Sequence, residues 1–109
     1  MSISAYLKKF FTSLSPFYVF IVSGSSMEPS LPSGSMVLVN RIYYFLGSPK
    51  TGDIVAVKDP RDGKILIKRV NKLSGNKVFV LGDNEKQSTD SRKFGMIEIS
   101  SIIGKVVYH

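Results

Sequence analysis

Apolar positions in this chain fall into short bursts separated by polar turns. From Phe17 to Val22 every residue is apolar, so an extended segment there would bury both faces, as a strand inside a two-sided core does. "SMVLVNR" (35–41), "DIVAVKD" (53–59), "KILIKRVNKL" (64–73), "KVFVLG" (77–82) and "IIGKVVY" (102–108) repeat the theme. They are rich in Val, Ile, Phe and Tyr, whose side chains suit a pleated, half-buried surface. The breaks carry turn chemistry, with Pro60-Arg61-Asp62-Gly63 and Ser74-Gly75-Asn76 as the clearest cases. "IYYFLGSPKTG" (42–52) reads as an apolar connection ending in a turn, and "DNEKQSTDSRKFG" (83–95) as a polar loop. About six strands with mostly local connections predict a mainly β fold: a single compact antiparallel domain, either a meander-like sheet or a small barrel.

Only the start of the chain has a helical period. Ile3, Leu7, Phe10, Phe11 and Leu14 recur at helical spacing with Lys8 and Lys9 opposite, and Ser15-Pro16 ends the pattern. A membrane span needs roughly twenty consecutive apolar residues, and here two lysines and a proline interrupt. Residues 1–15 are therefore expected to form a short amphipathic helix that lies on a membrane surface as an anchor or packs on the domain. Residues 16–109 form the domain itself.

Composition adds limits. A chain of 109 residues is one domain with one modest core. Fifteen Lys and Arg against eight Asp and Glu leave a net charge of +7, which suits an anionic membrane surface or nucleic acid. The basic residues are scattered, with no aromatic-basic stripe beyond "RIYYF". Nucleic acid is not the expected partner. Cysteine is absent, which excludes disulfides, a thiol nucleophile and cysteine-ligated zinc. Histidine occurs once, as the terminal His109.

That last fact bears on the loop "SGSSMEPSLPSGS" (23–35), where six serines surround Met27. A serine hydroxyl attacks a carbonyl only when a base removes its proton. With the lone histidine at a chain end, the base for any serine chemistry must be Lys, Asp or Glu. On a strand, Leu66, Lys68 and Val70 share one face and Ile65, Ile67 and Arg69 the other. If the first face is buried, desolvation leaves Lys68 an amine able to take a proton. If it is not, Lys68 is an outward lysine guarding an edge strand.

Four motifs in order decide between these. "SGSSMEPSL", "TGDIVAV", "IKRV" and "GDNEKQSTDSRKFG" resemble the successive signatures of the signal peptidase I family of serine proteases, across residues 22 to about 106. The resemblance implies a Ser–Lys dyad, with Ser26 (the serine before Met27) as nucleophile and Lys68 as general base. It implies that Ser88 orients the amine, that Asp90 and Arg92 form a structural salt bridge, and that Asp83 pairs with Arg69. The backbone N–H of Ser26 is the implied oxyanion donor, either sufficient alone or helped by Ser25. The position two residues before the nucleophile, where some relatives have a serine, is Gly24.

Such a protein is expected to be a serine endopeptidase that removes N-terminal signal peptides or pro-peptides after small residues, with preprotein or pro-protein substrates and no cofactor or metal. It would be membrane-associated, its catalytic face extracytoplasmic. The chain also resembles the compact maturation proteases that trim the pro-segment of nickel superoxide dismutase, which would place it in the cytoplasm. Only twelve residues separate Arg69 from Gly82, too few for the second domain of some bacterial relatives. Self-cleaving SOS repressors use the same dyad, but no helix-turn-helix pattern precedes the domain here. The rival of another class is a non-enzymatic basic β-domain that binds nucleic acid or membrane.

Overall fold

A computed structural model describes residues 16–45 and 47–109; the helix expected over 1–15 lies outside the described residues. Seven strands form one antiparallel, curled half-barrel sheet. They are β1 (Phe17–Ile21), β2 (Met36–Asn40), β3 (Ile54–Lys58), β4 (Ile65–Ser74), β5 (Lys77–Leu81), β6 (Ile97–Glu98) and β7 (Ile102–Tyr108). One short helix, α1 (Ser91–Phe94), lies between β5 and β6.

The spatial order is β1-β2-β7-β3-β4-β5-β6. Of the two expected arrangements, a meander-like sheet or a small barrel, the curled half-barrel is nearer the second: the last strand returns to pair with both β2 and β3. Two hairpins, β3–β4 and β4–β5, keep the local connection foreseen. A seventh strand was not foreseen because β6 holds only two residues, too few for an alternating pattern. It pairs with β5 through Val78↔Ile97.

Apolar packing on both faces explains the continuous apolar runs. On one face Phe20, Val22, Met27, Leu31, Val37, Val39, Ala56, Ile67 and Val106 form a buried cluster. On the other, Val55, Val57, Val70, Val78, Val80 and Ile97 form a second, closed over by Tyr44, Leu66 and Phe94. Strands β3 and β4 therefore contribute to both, each residue by its parity. Every fully buried valine here adds roughly 1.5–3 kcal/mol from water exclusion. Past Val70, a register shift in the pairing with β5 turns β4 outward, and its last four residues are exposed.

The apolar connection after β2 makes one 3-10 turn, Tyr43–Phe45. Tyr44 points inward from it and donates to Asp53 at 2.7 Å. Burial, together with that carboxylate, pushes the Tyr44 hydroxyl pKa well up. Among the described residues no helix is long and apolar enough to cross a membrane.

Candidate active site

Met27 explains how a Ser/Gly/Pro loop becomes rigid. Its side chain is fully buried, as is that of Leu31, and the Leu31 N–H donates to the Met27 carbonyl at 2.8 Å. At the loop's neck Val22 N–H donates to Ser35 O at 2.8 Å and Gly34 N–H to Val22 O at 2.7 Å. Two apolar anchors and a closed neck hold the serines between them in place. The loop is also tied to the segment after β5: Asn84 N–H donates to Ser26 O at 2.8 Å, and Asn84 Nδ2 to Ser25 O at 3.1 Å.

Lys68 lies mid-strand on β4, opposite Val55 of β3, and is only 2% exposed. The edge-guarding alternative is excluded by that burial and by β4 lying between β3 and β5. Its Nζ donates to Ser88 Oγ at 3.1 Å, and Ser88 Oγ donates to Asp90 Oδ2 at 2.7 Å. Burial lowers the pKa of the Lys68 amine; the Asp90 charge pulls it back up, and the Arg92 charge adds to the lowering. Ser26, Ser25, Leu66, Lys68 and Thr89 line one cleft of about 130 Å3. Among the described residues no hydrogen bond joins Ser26 to Lys68, and such contacts often tighten only when substrate binds.

Asp90 is fully buried yet accepts five hydrogen bonds. They come from Gly82 N–H (2.8 Å), Ser88 Oγ (2.7 Å), and Arg92 through its N–H (3.1 Å), Nε (3.0 Å) and Nη2 (2.6 Å). Burial pushes its pKa up, but the Arg92 guanidinium, the Gly82 amide and the Ser88 hydroxyl outweigh that and hold it well below the usual carboxylate range. Arg69 Nε and Nη2 grip Asp83 at 2.9 and 2.8 Å, and Arg69 Nη1 donates to Gly52 O at 2.9 Å. That one arginine joins the turn before β3 to the segment after β5.

Residue-type reasoning assigned no role to Asn84, Ser91 or Gly82, although all three lie within the fourth motif, residues 82–95. Asn84 ties the serine loop as described. Ser91 is buried, and its Oγ accepts from Val80 N–H at 2.9 Å, joining α1 to β5. At Gly82 a side chain would run into Ser88 and into Ser26 O.

Asp90→Asn is expected to cost about 3 kcal/mol or more at pH 7, since Arg92 and the other donors lose a buried charge. A depressed carboxyl contributes stability that is complete above the unfolded value near 4 and disappears as pH falls below it. The variant should therefore melt lower at pH 7 and lose less on acidification. If its melting temperature falls between pH 5 and 2 as steeply as the parent's, the acid sensitivity resides elsewhere, with Asp83 next in line.

A family model described as signal peptidase, peptidase S26, matches residues 1–78 and 71–109. The chain is 33% identical over 110 residues to mitochondrial ATP-independent inner membrane protease subunit 1a of Arabidopsis thaliana, covering 79% of this chain and 66% of that protein. It is 32% identical over 111 residues to mitochondrial inner membrane protease subunit 1 of Homo sapiens, covering 83% and 67%. With signal peptidase I of Bacillus caldolyticus the identity is 27% over 138 residues, covering 80% and 75%. The chain thus spans about two thirds of its Arabidopsis relatives, 66% and 64% of their lengths. With the match running from the serine loop through the buried lysine to the Asp90 network, the chain belongs to the signal peptidase family, peptidase S26.

Proposed function

We propose that this protein is a serine endopeptidase that removes N-terminal signal peptides or pro-segments after small residues, with Ser26 as nucleophile and Lys68 as general base. The observation that carries the reading is a buried lysine amine in one cleft with a loop serine. Ser88 accepts a hydrogen bond from the amine and donates its own to Asp90. This leaves the lone pair of a neutral Lys68 free to point toward Ser26.

The steps balance. Neutral Lys68 takes the Ser26 hydroxyl proton as Oγ bonds to the scissile carbonyl carbon. The resulting oxyanion is held by the Ser26 N–H, which has no acceptor among the described residues; preorganised donors of this kind are worth a few kcal/mol. The Lys68 ammonium then gives its proton to the departing amine as the C–N bond breaks, leaving an ester on Ser26. Lys68 next takes a proton from water as the water oxygen bonds to the ester carbonyl carbon, then returns that proton to Ser26 Oγ as the C–O bond breaks. This regenerates the hydroxyl and the neutral amine and releases the new C-terminal acid, which ionises in water. Ser25 lines the cleft and its hydroxyl is a second candidate donor.

A cleft of about 130 Å3 beside Leu66 suits a small side chain at the cut. An extended substrate would add main-chain hydrogen bonds along an open strand edge. Relatives named as inner membrane proteases support a membrane-associated protein; in this reading it meets preproteins on the extracytoplasmic side, and its net charge of +7 favours an anionic surface. The short β4–β5 connection at Gly75-Asn76 keeps a second reading open, a dedicated maturation protease for one pro-protein.

The test offers purified protein a panel of preproteins and pro-proteins and sequences the new N-termini. Ser26→Ala should lose cleavage by about 10³-fold or more with a melting temperature near the parent's, because one oxygen leaves a surface loop. A fluorophosphonate probe should label Ser26. If Ser26→Ala still cuts and Ser25→Ala does not, the nucleophile is misassigned; absence of any cleavage or labelling returns the chain to the non-enzymatic reading.

A further inference from the structure

The pattern Asp-x-Arg occurs twice in the chain, and both copies fold alike. Asp59 accepts from Arg61 through N–H (2.9 Å), Nε (3.0 Å) and Nη2 (2.6 Å), as Asp90 does from Arg92. Both carboxylates are buried, at 3% and 0% exposure. The Asp90 clip belongs to the last of the four family motifs, whereas Asp59 belongs to none of them. A hairpin turn needs no buried carboxylate, and burying one costs free energy unless its surroundings compensate.

Where Asp59 lies suggests what it does. It continues the alternation of β3, in which Val55 pairs with Lys68 and Val57 with Leu66, so its side chain belongs to the sheet face that carries the lysine amine. Its charge favours the Lys68 ammonium, as the larger effect of Asp90 does. Arg61 in turn sits 5.5 Å over the Phe94 ring. Phe94 ends α1, the helix that Asp90 caps, so the Asp59–Arg61 clip reaches the Lys68 site by two routes.

We propose that Asp59 and Arg61 are positioning residues for the Lys68 amine: Asp59 supplies a second buried negative charge on its sheet face, and Arg61 braces, through Phe94, the helix bearing Asp90. This deepens the reading of Lys68 as general base and rests on it. The charges that act on the amine are those of Asp90 and Arg92, in the segment after β5, and of Asp59, just past the end of β3. On β7, Lys105 lies beyond Val55 and is 3.7 Å from Asp53. The two carboxylates favour the ammonium, while burial and Arg92 favour the free amine. Their balance sets the pH at which the amine can act.

The test is titration of lysine side-chain 13Cε resonances in the full chain, with Lys68 assigned by its loss in Lys68→Met. Asp59→Asn should move the Lys68 midpoint down by roughly half a pH unit, and Arg61→Gln, which removes the positive charge that offsets Asp59, should move it up. Asp62→Asn, an exposed neighbour in the same turn, should leave it in place. In peptide cleavage the rising limb of kcat/KM against pH should follow each midpoint. Opposite signs from two residues of one clip are not what a purely structural role would give. Midpoints unmoved by both variants, or moved the same way, overturn the proposal. Should Asp59→Asn fail to fold, Arg61→Gln decides alone: an upward shift supports the proposal, and no shift or a downward one overturns it. Should the parent cleave nothing, the protease reading falls, while the midpoints still decide this one.

Discussion

Lys68→Arg is expected to be inactive at every accessible pH, and Lys68→Met to be equally inactive but more stable than the parent. A lysine free in water titrates near 10.4, leaving about one molecule in a thousand neutral at pH 7. Burial lowers that value at Lys68 against the pull of Asp90, so cleavage should rise with pH through the range in which the amine loses its proton. Arginine keeps the charge and cannot give up its proton usefully, so general-base catalysis, worth about 10²–10⁴-fold, disappears. Methionine keeps the apolar stem and removes the amine. A buried amine with a depressed pKa destabilises the fold at low pH, where it must be charged in the interior or forgo its proton. That penalty fades as pH rises toward the unfolded value near 10.4. The advantage of Lys68→Met in melting temperature should therefore be largest near pH 6 and small near pH 10. A flat pH profile, or an arginine variant close to parental activity, would mean the proton goes to another group.

Gly82→Ala should damage stability and activity together. A Cβ there would overlap Ser88 Oγ and lie 2.6 Å from Ser88 Cβ and 2.7 Å from Ser26 O. Neither neighbour can step aside cheaply. Ser88 Oγ is held between Lys68 and Asp90, and Ser26 O accepts from Asn84. Overpacking of this kind costs about 1–3 kcal/mol, and a shift of about 1 Å between reacting groups can cost about 10²-fold in rate. Gly75→Ala is the control. Gly75 has φ +59° with open space around it, so alanine there should lower stability by about 1 kcal/mol through backbone strain alone and leave cleavage intact. Thermal melts and kcat/KM on one peptide separate the two cases. Equal activity losses at both glycines would mean that the Gly82 contact does not position the site.

Strand positions could be read from the chain because two buried faces favour apolar runs rich in Val, Ile and Phe, side chains that suit an extended backbone. The same parity put Leu66, Lys68 and Val70 on one face, which is where the structure has them. The dyad assignment came from motif order, not from physics; elimination left Lys, Asp or Glu open as the base. Strand β6 and helix α1 were missed because two and four residues carry no period.

By itself, then, the sequence determined the mainly β class, the parity of β4, the family, and the turn chemistry that closes β3 on β4. These are local properties, readable wherever a side chain's neighbours along the chain fix its preference. Tertiary structure alone decided that the last strand enters between β2 and β3, because register and pairing depend on contacts between residues far apart in sequence. It decided that Met27 anchors the serine loop, that Gly82 must lack a side chain, and that Asp59 and Asp90 are buried along with Lys68. Burial and proximity set the protonation of Lys68, and both arise only when the strands and the loop after β5 are brought together.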